Sequence, residues 1–163
     1  MKRFSSPNPT YTELWSSPEA VTAGHQLYFI IQLRSTTGPG AGYAQLWRTN
    51  GSTQGTLWLT EPLTYGDEGP IPELFTVGDS VLFAALENLD VADPRQHGRE
   101  LWTTRGTVPN THLLQDLRPG HEWGNPSSFV RAGRYVYFVA LDVADTFRLW
   151  AIPAESAGCS KPL

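Results

Sequence analysis

The 163-residue chain sets 12 lysines and arginines against 16 aspartates and glutamates, a formal net charge of −4. The basic residues are scattered, so the positive field that steers proteins to phosphate backbones is missing, and nucleic acid is not expected as a partner. With 15 glycines and 13 prolines, no window of helical length keeps a clean apolar stripe and no apolar run reaches the roughly 18 residues of a membrane span; one nearly all-β domain is expected.

The opening MKRFSSPNPT lacks the apolar segment of a secretion signal, which fits either a cytosolic protein or one whose leader has been removed. Residues 1–16 are expected to supply one strand, with Lys2–Ser6 and Thr10–Leu14 as candidates. Three blocks follow, at about 17–70, 71–124 and 125–158. Their landmarks are a glycine and a phenylalanine five residues on: Gly24 and Phe29, Gly78 and Phe83, Gly133 and Phe138. The glycines recur about every 55 residues, a fixed period of the kind that repeat architectures show.

Each block reads as the same series of strands. Strand a opens with a proline, at Pro18–Val21, Pro72–Phe75 and Pro126–Phe129. Strand b is a short apolar run, Leu27–Ile31, Val81–Leu86 and Tyr135–Leu141, too short for a good helix and expected to be buried on both faces. Strand c carries Leu46-Trp47, Leu101-Trp102 and Leu149-Trp150. The b-to-c connections, Gln32–Ala44 and Glu87–Gly98, differ in length, as loops tolerate and cores do not. Strand d is Thr56–Thr60 in the first block and Thr111–Leu117 in the second, and the third block has no room for one.

The stretch Gly98–Gly120, GRELWTTRGTVPNTHLLQDLRPG, resembles the unit of a bacterial, mostly extracellular repeat family with the signature G-x-E-L-W-x-[ST]-D-G-T, then G-T, then D-[IL]-x-P-G. Gly98, Glu100, Leu101, Trp102, Gly106, Thr107, Thr111, Asp116, Leu117, Pro119 and Gly120 match it. The family's turn aspartate is replaced by Asn50 in the first block and Arg105 in the second, and the third block keeps only Arg148-Leu149-Trp150. The resemblance implies a β-propeller-like array and an extracellular setting, with no shared chemistry to carry over. The expected fold is therefore all-β: a propeller-type array of three four-stranded blades. Closed propellers typically have four to eight. Three blades call for completion by oligomerisation into a six-bladed dimer or by closure with the N-terminal strand; the alternative is a piece of a longer propeller.

Candidate sites are few. Trp47, Trp102 and Trp150 recur with the glycines and phenylalanines as structural positions, since large aromatics fill the space between stacked sheets. Trp15 and Trp123 precede strand a in loop-like settings, where an indole beside polar groups stacks on sugars or anchors a protein partner. Leu-Asp-Val-Ala-Asp occurs twice after strand b, so Asp90, Asp93, Asp142 and Asp145 are weak Ca²⁺ candidates, short of the six or more oxygen ligands required. His25, His97, His112 and His121 have no metal spacing, Gly38–Gly42 lacks the lysine of a phosphate loop, and Asn50-Gly51-Ser52 fits a sequon but also a turn. Cys159, the single cysteine, forms no internal disulfide. No nucleophile elbow and no cofactor motif is present. The sequence points to a non-catalytic binding or assembly module whose partner is a second copy or another protein chain, with a glycan-binding lectin second and a hydrolase third.

Overall fold

The computed structural model describes residues 11–14, 20–35, 42–60, 63–65, 73–86 and 97–158. These form three antiparallel sheets, with no α-helix among the described residues. The first sheet holds β1 (Tyr11–Leu14), β2 (Ala20–Ala23), β3 (Gln26–Ser35), β4 (Gly42–Thr49), β5 (Leu57–Trp58) and β6 (Leu63–Tyr65). The second holds β7 (Leu74–Val77), β8 (Ser80–Leu86), β9 (Arg99–Thr104) and β10 (Thr111–Gln115). The third holds β11 (Ser127–Ala132), β12 (Tyr135–Leu141) and β13 (Phe147–Pro153).

The expectation of four strands per sheet holds only for the second. In the first, six segments fill four columns: β1 and β2 lie end to end along one edge of β3, while β5 and β6 both line the far edge of β4. The span 32–44, read as a loop, is largely a hairpin, because β3 runs on to Ser35 and pairs as far as Arg34↔Gly42. Gly42 of the glycine-rich stretch opens β4. The third sheet has three strands, as the lack of room after Trp150 implied. N-terminal closure is corrected for Tyr11–Leu14, which pairs with β3 of its own sheet instead of finishing the third; Lys2–Ser6 lies outside the described residues.

Local chemistry sets the registers. Gly24, Gly78 and Gly133 take φ of 57°, 60° and 60° as the first turn residue between Ala23↔Gln26, Val77↔Ser80 and Ala132↔Tyr135. A positive φ at the first central residue of a two-residue hairpin turn is what glycine supplies without steric cost. Phe29, Phe83 and Phe138 then stand opposite Trp47, Trp102 and Trp150 in the three sheets.

The turn after each Leu-Trp strand is built twice from the same hydroxyls. The Gly51 N–H donates to Thr49 Oγ1 at 3.0 Å and the Gly106 N–H to Thr104 Oγ1 at 3.1 Å. Thr56 and Thr111 donate to the Ser52 and Thr107 carbonyls, so Thr49 and Thr104 donate in turn to Thr56 and Thr111, at 2.7 and 2.6 Å. Asn50 adds its own Asx bond to the Ser52 N–H, whereas exposed Arg105 fills the matching place in the second sheet with no carboxylate at all. In the third sheet Ile152 stands where these threonines stand, and the chain leaves β13 through Pro153 into a short 3₁₀ turn at Ala154–Gly158.

The sheets stack in chain order, and each has a front and a back. One apolar cluster joins Tyr28, Ile30, Ala44, Leu46 and Leu59 of the first sheet to Val81, Phe83, Ala85 and Trp102 of the second. The other joins Leu82, Leu101 and Leu117 to Phe129, Val136, Phe138 and Ala140 of the third. Alternate residues of β8 therefore point into different clusters, and the whole strand is buried. The expectation that every b strand is buried on both faces fails elsewhere. In β12 only Val136, Phe138 and Ala140 are buried, while Tyr135, Tyr137, Val139 and Leu141 are half-exposed on the other face. The reason is position in the stack: among the described residues β8 has a sheet on each side and β12 has one.

Candidate functional site

Two features stand out at the third sheet, a polar seam where it meets the second and an apolar face on its far side. The seam begins with Glu100 of β9, fully buried. Its Oε2 accepts the Leu117 N–H and its Oε1 the Gly124 N–H, each at 2.7 Å. Burial raises its pKa above the ordinary carboxyl value, opposed by the N–H groups of Leu117, Gly124 and Arg118. Both oxygens are thus engaged in pinning the segment that follows β10 against β9. Gly98, Arg99 and Gly124 extend the suture through their backbones: Gly98 N–H to Gly120 O at 3.0 Å, Asn125 N–H to Arg99 O at 3.0 Å, and Leu141 N–H to Gly124 O at 2.7 Å. The last of these reaches the third sheet.

Arg118 closes the seam. Its guanidinium reaches Asp145 Oδ1 at 2.8 Å, Glu122 Oε2 at 3.2 Å and the Trp123 carbonyl at 3.3 Å, while its stem is buried. Asp116 lies 3.0 Å from His97 Nδ1 beside it. Trp123 is held across Gly98, where an added Cβ would meet the Glu122 carbonyl and sit 2.9 Å from the indole. That packing leaves Trp123 39% exposed beside the exposed carboxylates of Glu122 and Asp145. The seam can stack a flat apolar ring and accept hydrogen bonds at its rim. Its buried core, with Glu100 and the N–H groups already paired to each other, serves to hold the segment in place.

The candidates from the sequence fall as follows. Trp123 lies in this seam, whereas Trp15, Asp90 and Asp93 lie outside the described residues. Asp142 holds the β12–β13 turn: Oδ1 accepts the Ala144 and Thr146 N–H groups at 2.9 and 3.0 Å, and Oδ2 accepts Arg148 Nε at 3.0 Å. Those bonds, with Arg148 first, hold its pKa below the ordinary value. Asp145, at φ 56°, is tied to Arg118 instead. The two carboxylates act on different partners, and no group of three metal-ligating side chains occurs among the described residues. Trp102 and Trp150 take part in the apolar clusters, and Trp47, Gly24 and Phe29 belong to the first sheet. The sequence reading missed Arg118 and Glu122. Their only signal was a charged residue at the variable position of D-L-x-P-G and another four residues on.

The apolar face is the back of the third sheet. Cross-strand registers put Tyr135, Tyr137, Val139 and Leu141 of β12 on it together with Phe147, Leu149, Ala151 and Pro153 of β13 and Val130 of β11. Leu149 is 72% exposed, Phe147 61% and Val130 57%. Arg134 lies over the Tyr135 ring at 5.3 Å at one margin. The outer edge of β13 carries no fourth strand among the described residues.

The geometry defines an all-β protein of stacked antiparallel sheets, the third of which turns an apolar face outward. No family model, no curated protein and no solved structure matches the chain.

Proposed function

We propose that the chain is a propeller-type array of blades acting as a non-catalytic assembly module, which joins a protein partner through the sheets at the ends of its stack. The observation that carries this reading is the back of the third sheet, where Leu149 and Phe147 stand in water at positions whose counterparts in the second sheet are buried. Contiguous apolar surface of this kind marks association sites. The propeller reading is supported by the direction of stacking, each sheet's back meeting the next sheet's Phe-Trp front, and by a sheet count below that of a closed ring. A photo-reactive residue at position 149 should give discrete protein adducts that the same residue at Thr53, exposed on a turn of the first sheet, does not. Equal labelling at both positions overturns the reading.

A second reading, a carbohydrate-binding module, is favoured by Trp123 with Glu122 and Asp145 at its rim, since exposed indoles stack on sugar rings. A glycan array tests it: binding that Trp123→Ala abolishes supports it, and a blank array removes it.

A further inference from the structure

We infer that the outer edge of β13 docks an extended segment of another protein, which joins the third sheet as an antiparallel fourth strand with an apolar residue beside Trp150 and a carboxylate beside Arg148. This rests on the assembly reading above and names the contact through which a partner is held. It starts from the β12–β13 ladder. The Asp142 N–H donates to the Thr146 carbonyl at 3.0 Å and the Ala154 N–H to the Arg134 carbonyl at 2.8 Å. Bonded pairs alternate along an antiparallel ladder, so Arg148, Trp150 and Ile152 spend their backbone groups on Ala140, Phe138 and Val136. Phe147, Leu149 and Ala151 therefore turn their N–H and C=O groups outward. A row of such groups is a template for another strand.

The second sheet shows what the same edge holds when it is filled. Leu101, Trp102 and Thr103 of β9 correspond to Leu149, Trp150 and Ala151 of β13, and β10 lines their outer side. Leu113 of β10 stands opposite Trp102 and packs against the cluster shared with the first sheet, while Leu114 packs against the cluster shared with the third. Trp102 is 8% exposed under this cover, whereas Trp150 is only half-buried and Phe147, Leu149 and Ala151 are exposed. An incoming strand thus meets apolar side chains on both faces of the sheet, as β10 does. Its reach is bounded at one end. Pro153 stands where the Arg105 N–H donates to the Asn110 carbonyl in the second sheet, and proline has no donor to offer.

Charge narrows the occupant. Asp116, just after β10, lies near enough to Glu100 for its charge to oppose the ionisation of Glu100. The third sheet carries Arg148 in the place of Glu100, so a carboxylate that is repelled in one sheet is attracted in the other. Arg148 Nε holds Asp142, and the rest of the guanidinium fork can take a second carboxylate. Room narrows it further. Since β10 reaches one strand beyond β13 in the stack, a second copy offering its own β13 would drive its second sheet into β10, whereas a single extended segment fits beside β13.

The probe is a labelled peptide with the sequence of residues 111–117, Thr-His-Leu-Leu-Gln-Asp-Leu, titrated with the full chain and followed by fluorescence anisotropy. Saturable binding is expected below about 1 mM. It should be lost when the peptide is N-methylated at the His112 and Gln115 positions, which stand opposite Thr103 and Leu101 in the second sheet. Ala151→Pro removes one outward donor without touching the bonds to β12 and should weaken binding about 10-fold. Arg148→Glu should reverse the preference, so that the peptide carrying Asp116→Lys binds better than the original, a change that loss of fold does not produce. No binding up to that concentration overturns the inference. Equal binding by the N-methylated peptide shows adhesion to the apolar back and overturns it too, as does self-association of the chain that Ala151→Pro abolishes, since the occupant is then a second copy. Crosslinking at position 149 judges the assembly reading separately: adducts there, with an edge blind to the peptide, overturn this inference alone. Near-ultraviolet circular dichroism like that of wild type confirms that each variant is folded.

Discussion

Leu101 and Leu149 precede the tryptophan of β9 and β13 and project from the same face of their sheets, yet one is fully buried and the other is 72% exposed. Nothing in the two strands accounts for the contrast. Among the described residues the second sheet has a neighbouring sheet on each side, and the third has one. Burial here is a property of the stack and not of the strand. The same substitution in both places should therefore give the largest contrast in the molecule. Leu101→Ala is expected to cost about 2–5 kcal/mol, the range for truncating a leucine in a packed core. Leu149→Ala should stay within about 0.5 kcal/mol for the dissociated chain, as surface changes do. Chemical denaturation at nanomolar and micromolar chain separates the cases. A cost at Leu149 that appears only at the higher concentration belongs to a second copy, and one equal to that of Leu101 at both would mean the face is covered within the chain.

This contrast also marks the limit of what the sequence could reveal. Strand order and the glycine turns were legible, because each rests on local chemistry: a positive φ at Gly78 and a continuous apolar run from Val81 to Leu86. The face each run presents was not. β8 and β12 are both apolar throughout in sequence, and only stacking separates the buried Leu82 from the half-exposed Tyr137. The reach of β3 and β4 past Gln32 was also missed, since Gln, Arg, Ser and Gly at that end of the hairpin carry a weak strand signal. At the seam, Glu100 was readable as a signature residue, but its partners are backbone N–H groups, which leave no trace in side-chain patterns.

Glu100 tests how the second sheet is tied to the third, because the matching positions are Gln45 in the first sheet and exposed Arg148 in the third. Gln45 spends its oxygen on Trp47 Nε1 at 3.2 Å, whereas Glu100 is turned to the chain after β10, leaving the Trp102 Nε1 without a hydrogen-bond partner among the described residues. Glu100→Gln keeps one acceptor and turns an amide NH₂ toward the other N–H. Orphaning a buried donor should cost about 1–3 kcal/mol, while Arg148→Gln in the third sheet should cost far less, its pair with Asp142 being exposed. The pH profile adds a sign. Since the folded pKa of Glu100 is raised, the folded chain holds more protons than the unfolded one between the ordinary carboxyl value and the raised one. Stability therefore falls as pH rises through that window, and Glu100→Gln should flatten the slope. Asp142, with its lowered pKa, acts in the opposite sense and only at lower pH, losing its contribution as pH falls through its folded value. A variant that keeps the wild-type slope would locate the titration elsewhere.

The smallest expected effect is one that should not distinguish the two sheets. Gly78 and Gly133 both have φ of 60°, and a Cβ added at either would have nothing within 4 Å. The penalty for alanine is then purely conformational, about 1–2 kcal/mol for an L-residue in the left-handed region. It should be the same in both hairpins, although one is the edge of a doubly covered sheet and the other of a half-covered one. Thermal denaturation of Gly78→Ala and Gly133→Ala, measured side by side, checks this. Equal shifts would confine the difference between the sheets to their faces. A larger shift at Gly133 would mean that its turn bears on something besides its own hairpin, as a second chain packed beside Arg134 and Tyr135 would make it do.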